Sequence, residues 1–357
     1  MELPIDVLTA IWLGIPLWVW CGFIIFIVGL LALDLGLFHR TSHEVGLTES
    51  LKMAAFYVAI AIAFGALVWW LYYTHPPAYS LDPGIKYAVS NSGRAWTALQ
   101  LYYTGYIVEY TLAIDNVFVI GLVFTYFSVP RAYQHRVLFW GILGVIVLRG
   151  IMIGVGAVLV SEFYWVLYVF AVFLIFTGVK MLRPADGEMS IGDNPAVRFM
   201  RRHFRVTDAF HGSRFFVKLR DAKTGKVSNY ATPLLLALVT VEIVDVVFAV
   251  DSVPAIFAIT QEPFIVFTSN IFAIIGLRTL YFTLAAIVHR FHYLKYALAL
   301  VLIFIGAKIF LGDFVFEGKV PAALSLVVTL GLILSGVLYS LWKTRGGISE
   351  SVVTLKD

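Results

Sequence analysis

Three carboxylates stand inside one apolar run, Val241-Glu242-Ile243-Val244-Asp245-Val246-Val247-Phe248-Ala249-Val250-Asp251-Ser252-Val253-Pro254. Read without its acids, this stretch is a membrane span. An ionisable group at mid-bilayer costs about 2.5–3.5 kcal/mol on insertion scales. Three in one span therefore need partners, water or a cation to offset them. An earlier stretch, Glu109-Tyr110-Thr111-Leu112-Ala113-Ile114-Asp115-Asn116, has the same layout. The two stretches are expected to face each other as halves of one site.

Composition sets the medium. The 357 residues are 61% hydrophobic and 13% charged, against about 25% charged in soluble proteins. Apolar runs of about 20 residues recur along the chain, as in a polytopic membrane protein. About nine spans are expected, near 15–38, 51–74, 97–127, 137–160, 163–183, 232–259, 264–288, 294–312 and 320–342. The expected fold class is all-α, a single transmembrane domain over 1–357. The first span is preceded by Glu2 and Asp6 and by no Lys or Arg, the wrong sign for a cleaved signal. A single cysteine, Cys21, excludes a disulfide framework and a cysteine-based metal site.

The basic residues set the expected orientation. One set of loops holds Arg40 and Lys52, Arg131 and Arg136, Arg290 and Lys295, then Lys343, Arg345 and Lys356. The segment 184–230 falls on the same side, with Arg198, Arg201, Arg202, Arg205, Arg214, Lys218, Arg220, Lys223 and Lys226. The opposite loops hold Lys86, Arg94 and Lys319. The expected topology is N-terminus outside, C-terminus cytoplasmic, with 184–230 as a solvated basic loop or a patch for lipid headgroups or a partner. Trp69, Trp70, Tyr72, Tyr73, Trp96 and Trp342 gather near span ends, as interfacial aromatics do.

Three local matches recur in one order. Ala113-Ile114-Asp115-Asn116 matches Ala249-Val250-Asp251-Ser252, and Glu109 then falls on Asp245. Leu148-Arg149 matches Leu277-Arg278, and Phe176-Thr177-Gly178-Val179-Lys180 matches Phe304-Ile305-Gly306-Ala307-Lys308. Each copy covers three expected spans (97–183 and 232–312), and an odd number reverses orientation. Inverted repeats with polar groups near the midplane mark many secondary transporters.

At about 100° per residue, Glu242 and Asp245 share a helix face while Asp251 points elsewhere. Convergence of all three is expected to need a kinked or unwound helix, for which Pro254 supplies a cause by leaving the Val250 carbonyl without its donor. Phe118 stands at the corresponding place in the first copy. Carboxylates with neutral oxygens suit Mg²⁺, Ca²⁺ and Mn²⁺ rather than thiolate- or imidazole-seeking metals. His39, His43, His75, His135, His203, His211, His289 and His292 all lie in loops or near span ends. The candidate ligands are Glu109, Asp115, Asn116, Glu242, Asp245, Asp251 and Ser252. Asp34, Arg149, Arg278, Lys180 and Lys308 are candidate pathway residues or charge partners. The four bases also fit a structural pairing that locks helices together. Lys180 and Lys308 fit snorkelling or pairing better than substrate contact, and Asp34 fits a cap or packing role as well as a pathway one. An intramembrane aspartyl-protease dyad is disfavoured, because Gly-x-Gly-Asp contexts are missing and the further acids are surplus to a dyad. No phosphate-cradling loop is present, so no ATP motor is expected in the chain.

These motifs resemble the TerC family of bacterial integral membrane proteins, and within it the Alx-type manganese exporters. The likeness is carried by Glu109 to Asn116, Phe127-Ser128-Val129-Pro130, Phe176 to Lys180, Ala231-Thr232-Pro233, Glu242 to Phe257, Phe264 to Tyr281 and Leu294-Lys295-Tyr296, and extends from Leu33-Asp34-Leu35 to the last span. Tyr110 stands where the resemblance implies a basic residue. The resemblance implies Mn²⁺ export across the cytoplasmic membrane, with Glu109, Asp115, Glu242, Asp245 and Asp251 along the cation path, and brings a link to tellurite resistance. The expectation is a non-enzymatic secondary transporter exporting Mn²⁺, in exchange for H⁺, with the ion as substrate and no cofactor. Its partners are a divalent metal ion and the lipid bilayer, with no nucleic acid. The alternatives are an exporter of another divalent cation such as Ca²⁺, or a non-transporting partner in metalation or tellurite resistance.

Overall fold

A computed structural model describes residues 9–33, 47–75, 82–183, 205–207, 209–220, 227–284, 293–315 and 320–344, with single positions 77, 80 and 202. The chain is mostly helical. In order, the helices are α1 (Leu17–Leu33), α2 (Leu47–Thr74), the short α3 (Pro83–Lys86), α4 (Asn91–Tyr126), α5 (Arg131–Glu162), α6 (Val166–Met181), α7 (Pro233–Ile259), α8 (Pro263–Leu284), α9 (Leu294–Val315) and α10 (Ala322–Thr344). Among the described residues, six stretches are long and apolar enough to cross a membrane: Thr48–Thr74, Asn91–Tyr126, Arg131–Glu162, Pro233–Ile259, Leu294–Gly312 and Ala322–Thr344. The other three expected spans fall on shorter apolar helical stretches, Leu17–Leu33, Val166–Met181 and Pro263–Gly276.

The fold is not purely helical. β1 (Ile11–Trp12) pairs with β2 (Ile15–Pro16), and β3 (Phe216–Arg220) with β4 (Val227–Ala231), both antiparallel. The second hairpin lies within the expected basic loop. There Val217 is buried while Phe216, Lys218 and Arg220 are exposed, the alternation that a one-sided strand pair requires. Apolar periodicity over whole spans drowns so short a signal. Arg40, Arg198, Arg201, Lys223, Lys226, Arg290, Lys319, Arg345 and Lys356 lie outside the described residues.

Local chemistry fixes the helix ends that matter for the site. Ser90 caps α4 by accepting from the Gly93 N–H at 3.0 Å. At its far end Val129 N–H donates to the Phe124 carbonyl at 2.9 Å and Ser128 N–H to Thr125 at 3.0 Å, a Schellman closure with Ser128 in the left-handed region at φ 52°. Pro130 then launches α5. Pro233 stands at the first position of α7, where its missing N–H costs nothing. The preceding Thr232 hydroxyl donates to the Arg214 carbonyl at 2.8 Å, tying that end to the hairpin region.

Packing is organised around α4 and α7. α4 lies against α8, and α7 lies against α5. α6 and α9 pack on each other through two glycines. A Cβ on Gly178 would stand 2.7 Å from the Ala299 carbonyl oxygen, and one on Gly306 would stand 2.6 Å from that of Ala171. The backbones can approach this closely only without side chains at those points. An aromatic cluster of Trp20, Phe23, Phe64, Phe264 and Phe272 joins α1, α2 and α8.

The helix is not unwound at Pro254. α7 runs as one helix through it. A proline ring crowds only the turn before it, and the helix around and beyond it, Ser252 to Ile259, is buried without exception.

Candidate functional site

Among the described residues, two of the acids, Glu109 and Asp245, meet Arg149. Arg149 projects from α5 and is 1% exposed. Its Nη1 donates to Glu109 of α4, to Ser252 Oγ of α7 at 3.1 Å and to Asn270 Oδ1 of α8 at 2.9 Å. Its Nε donates to Asp245 Oδ2 of α7 at 3.4 Å. Glu109 and Asp245 are themselves buried. A guanidinium keeps its charge in any protein environment and offers donors in a planar fork. One fork therefore serves four acceptors on three helices, and the group of two carboxylates and one guanidinium carries a formal charge of −1.

Spacing explains which residues meet. Seven residues turn a helix through about 700°, within 20° of two full turns. Asp245 and Ser252 therefore share a face of α7, and Glu109 and Asn116 share a face of α4. Asp251 lies off the Asp245 face, as a straight helix demands, and accepts instead from the Thr177 hydroxyl of α6 at 3.4 Å. The residues nevertheless converge on space: Glu109, Asn116, Asp251 and Ser252, with Leu112, Phe248, Met181 and Leu302, line a cavity of about 180 Å³. A smaller one, about 30 Å³, is lined by Asn116 and Asp245 with Gly141, Val145 and Val244. A larger groove of about 440 Å³ between α1 and α2 is walled by Trp18, Phe23, Phe64 and Leu67 and has no acid in its lining.

The remaining expected residues divide. Glu242 lies against Gly144 of α5, where a Cβ would collide with its carboxylate, and its Oε2 is buried without a hydrogen-bond partner. Lys308 is 3% exposed and donates to Ser325 of α10 at 3.3 Å, whereas Lys180 at the corresponding place is exposed. The side chains of Asp115 and Arg278 and all of Asp34 lie outside the described residues. Among the described residues, no group of three or more His, Cys, Asp and Glu side chains is gathered closely enough to hold a metal ion. What the cavity offers there is two carboxylates, an amide and a hydroxyl from α4 and α7.

Sequence reading missed two features. Asn270 completes the arginine's shell, and the polar run Thr268-Ser269-Asn270 in an apolar helix is the signal that marks it. The second is a buried cluster at the α7–α8 turn, at the end of α7 beyond the cavity. Glu262 accepts from the Ser80 hydroxyl, from Asp82 N–H at 3.2 Å and from Tyr72 OH at 3.3 Å. Asp82 accepts from Thr260 Oγ1 at 2.9 Å and Gly84 N–H at 2.9 Å. Burial pushes the Glu262 carboxyl up to about 7 against the lowering effect of the Ser80 hydroxyl, and the Asp82 charge adds to the rise.

The sequence profile described as "Integral membrane protein TerC family" matches residues 94–347. An Escherichia coli K12 protein named "Putative membrane-bound redox modulator Alx" is 45% identical over 343 residues, covering 94% of this chain and 99% of its own. Membrane proteins of Myxococcus xanthus (44% over 326 residues, 91% of this chain and 92% of the relative) and Rickettsia felis (42% over 322 residues, 90% and 97%) are also similar. No solved structure matches.

Proposed function

The chain belongs to the TerC family of integral membrane proteins, and from that premise we propose that it is a secondary transporter exporting Mn²⁺ through the acidic cavity between α4 and α7. The observation that carries this is the cavity of about 180 Å³ with Glu109 and Asn116 on one wall and Asp251 and Ser252 on the other. Oxygen donors of this kind suit hard divalent cations. A multi-pass protein that keeps buried acids around a central void has the composition of an ion path rather than of an inert scaffold. Export in exchange for H⁺ follows from charge: a divalent ion taking its place among carboxylates displaces protons from them. The redox naming of the relatives fits a protein that sets the pool of a redox-active metal.

The same reading takes α4–α6 and α7–α9 as inverted three-helix repeats in the cytoplasmic membrane, N-terminus outside and C-terminus inside. It is supported by the reciprocal contacts of Gly178 with Ala299 and Gly306 with Ala171, each pair 128 residues from its partner. It is supported too by the packing of α4 on α8 and of α7 on α5, which the repeat exchanges.

The test is cellular Mn in an exporter-deficient bacterial host at matched expression. Wild type should lower it, and Asp251→Asn and Asp115→Asn should each abolish the effect. In vesicles, collapsing the pH gradient at fixed voltage should slow Mn²⁺ efflux. If the variants export like wild type, the acidic cavity is not the path.

A further inference from the structure

A site for a cation that already holds a buried guanidinium needs an explanation. Stability does not require it, since a buried ion pair is commonly no more stable than apolar packing of similar volume. Position is more telling. The cavity is lined by residues of α4 and α7 with Met181 of α6 and Leu302 of α9, and two of them, Glu109 and Ser252, accept from Arg149. Past Ser252, the α7 residues Val253, Ile256, Phe257 and Ile259 are buried, as are Phe264 and Ile265 at the start of α8. The guanidinium thus stands behind a wall of the cavity rather than in its lining. It also holds Glu109, which is at once an Arg149 acceptor and a cavity wall. Glu109 and Asp245 are the positions that the sequence repeat equates. One arginine from one copy therefore ties together the corresponding acids of both.

We propose that Arg149 is the site's tethered counter-cation: it occupies Glu109 and Asp245 as a plug, and a divalent ion advances from the cavity by taking Glu109 from the guanidinium. This rests on the transport reading above. Arg149 is a positioning residue in that scheme, and its fork makes the plug. Nε and Nη1 have protein acceptors on three helices, which hold the guanidinium in place until a charge of the same sign competes for Glu109. Asn270 sets how firmly the plug is seated, because it accepts from Nη1 without contributing to the cavity wall.

The experiment is Mn²⁺ titration of the purified full chain in lipid nanodiscs at pH 8, with free Mn²⁺ read from its paramagnetic resonance signal. Arg149→Gln should bind at least tenfold tighter than wild type. Arg149→Lys, which keeps the charge, should stay within threefold. Asn270→Ala, which keeps every charge and loosens only the seat, should bind about threefold tighter, and it carries the test if Arg149→Gln does not fold. An arginine with only a structural role predicts the opposite sign, weaker binding in all three. Wild-type binding that is unchanged or weakened in Arg149→Gln and Asn270→Ala overturns the plug while leaving the transport reading standing. No Mn²⁺ binding by any of the proteins overturns the transport reading and the plug with it.

Discussion

Glu242 shows what a single buried carboxylate costs when it is left half-served. Its Oε2 is buried with no hydrogen-bond partner, and its carboxyl fits against α5 only because residue 144 is glycine. An unsatisfied buried acceptor costs about 1–3 kcal/mol, more when charged. Glu242→Gln removes the charge at nearly constant volume. It should therefore melt higher than wild type in a thermal unfolding series, while Mn²⁺ export falls if the transport reading holds. A lower melting temperature for Glu242→Gln would mean that the carboxylate is a stabilising partner, and would remove it from the cation path. The acids that the structure gathers around Arg149 and the cavity stand out in the sequence, because a charge in an apolar run is costly. Their pairing was less legible. A six-residue interval draws attention to Asp115 and Asp251, but it is the seven-residue interval that places Glu109 with Asn116 and Asp245 with Ser252 on shared faces.

At the scale of elements, the α7–α8 turn is fastened to the segment before α4 by Glu262 and Asp82. Among the described residues every donor to Glu262 is neutral: the Ser80 hydroxyl, the Asp82 amide and the Tyr72 hydroxyl. Asp82, the charged group facing it, repels a second negative charge. A carboxyl raised from 4.5 to about 7 in the folded protein binds its proton more tightly there than in the unfolded chain. Its contribution is therefore fully present below about 4.5 and is lost as pH rises to about 7, amounting to about 3 kcal/mol across that window. Wild type should melt progressively lower between pH 5 and pH 8, and Glu262→Gln should flatten that slope and melt higher than wild type at pH 8. Parallel slopes for the two proteins would show that Glu262 does not titrate in this range. The cluster was not legible in advance. Gln261-Glu262-Pro263 reads as an ordinary polar turn, and its partners Tyr72, Ser80 and Asp82 lie about 180 residues away in sequence.

For the whole molecule the open question is α6, and the architecture turns on it. Apolar period and length made the long helices legible, and the basic loops gave an orientation. A helix of 16 residues spans only about 24 Å at 1.5 Å per residue, less than the ~30 Å hydrocarbon core. Packing argues that it crosses all the same. It lies along α9, which has an apolar stretch long enough to span, and the two glycines bring the backbones together at Gly178 and Gly306. A crossing helix that short is accommodated by local thinning of the bilayer at modest cost. If α6 crosses, three crossings separate Lys86 from Lys218, and these exposed residues stand on opposite sides of the membrane. With Cys21 replaced by alanine, an impermeant thiol reagent applied to intact spheroplasts should label Lys86→Cys at once and Lys218→Cys only after the membrane is opened. The reverse pattern would invert the orientation and keep the repeats. Labelling of both from one side would leave α6 short of the far face, and two copies with an even number of crossings each could not be inverted.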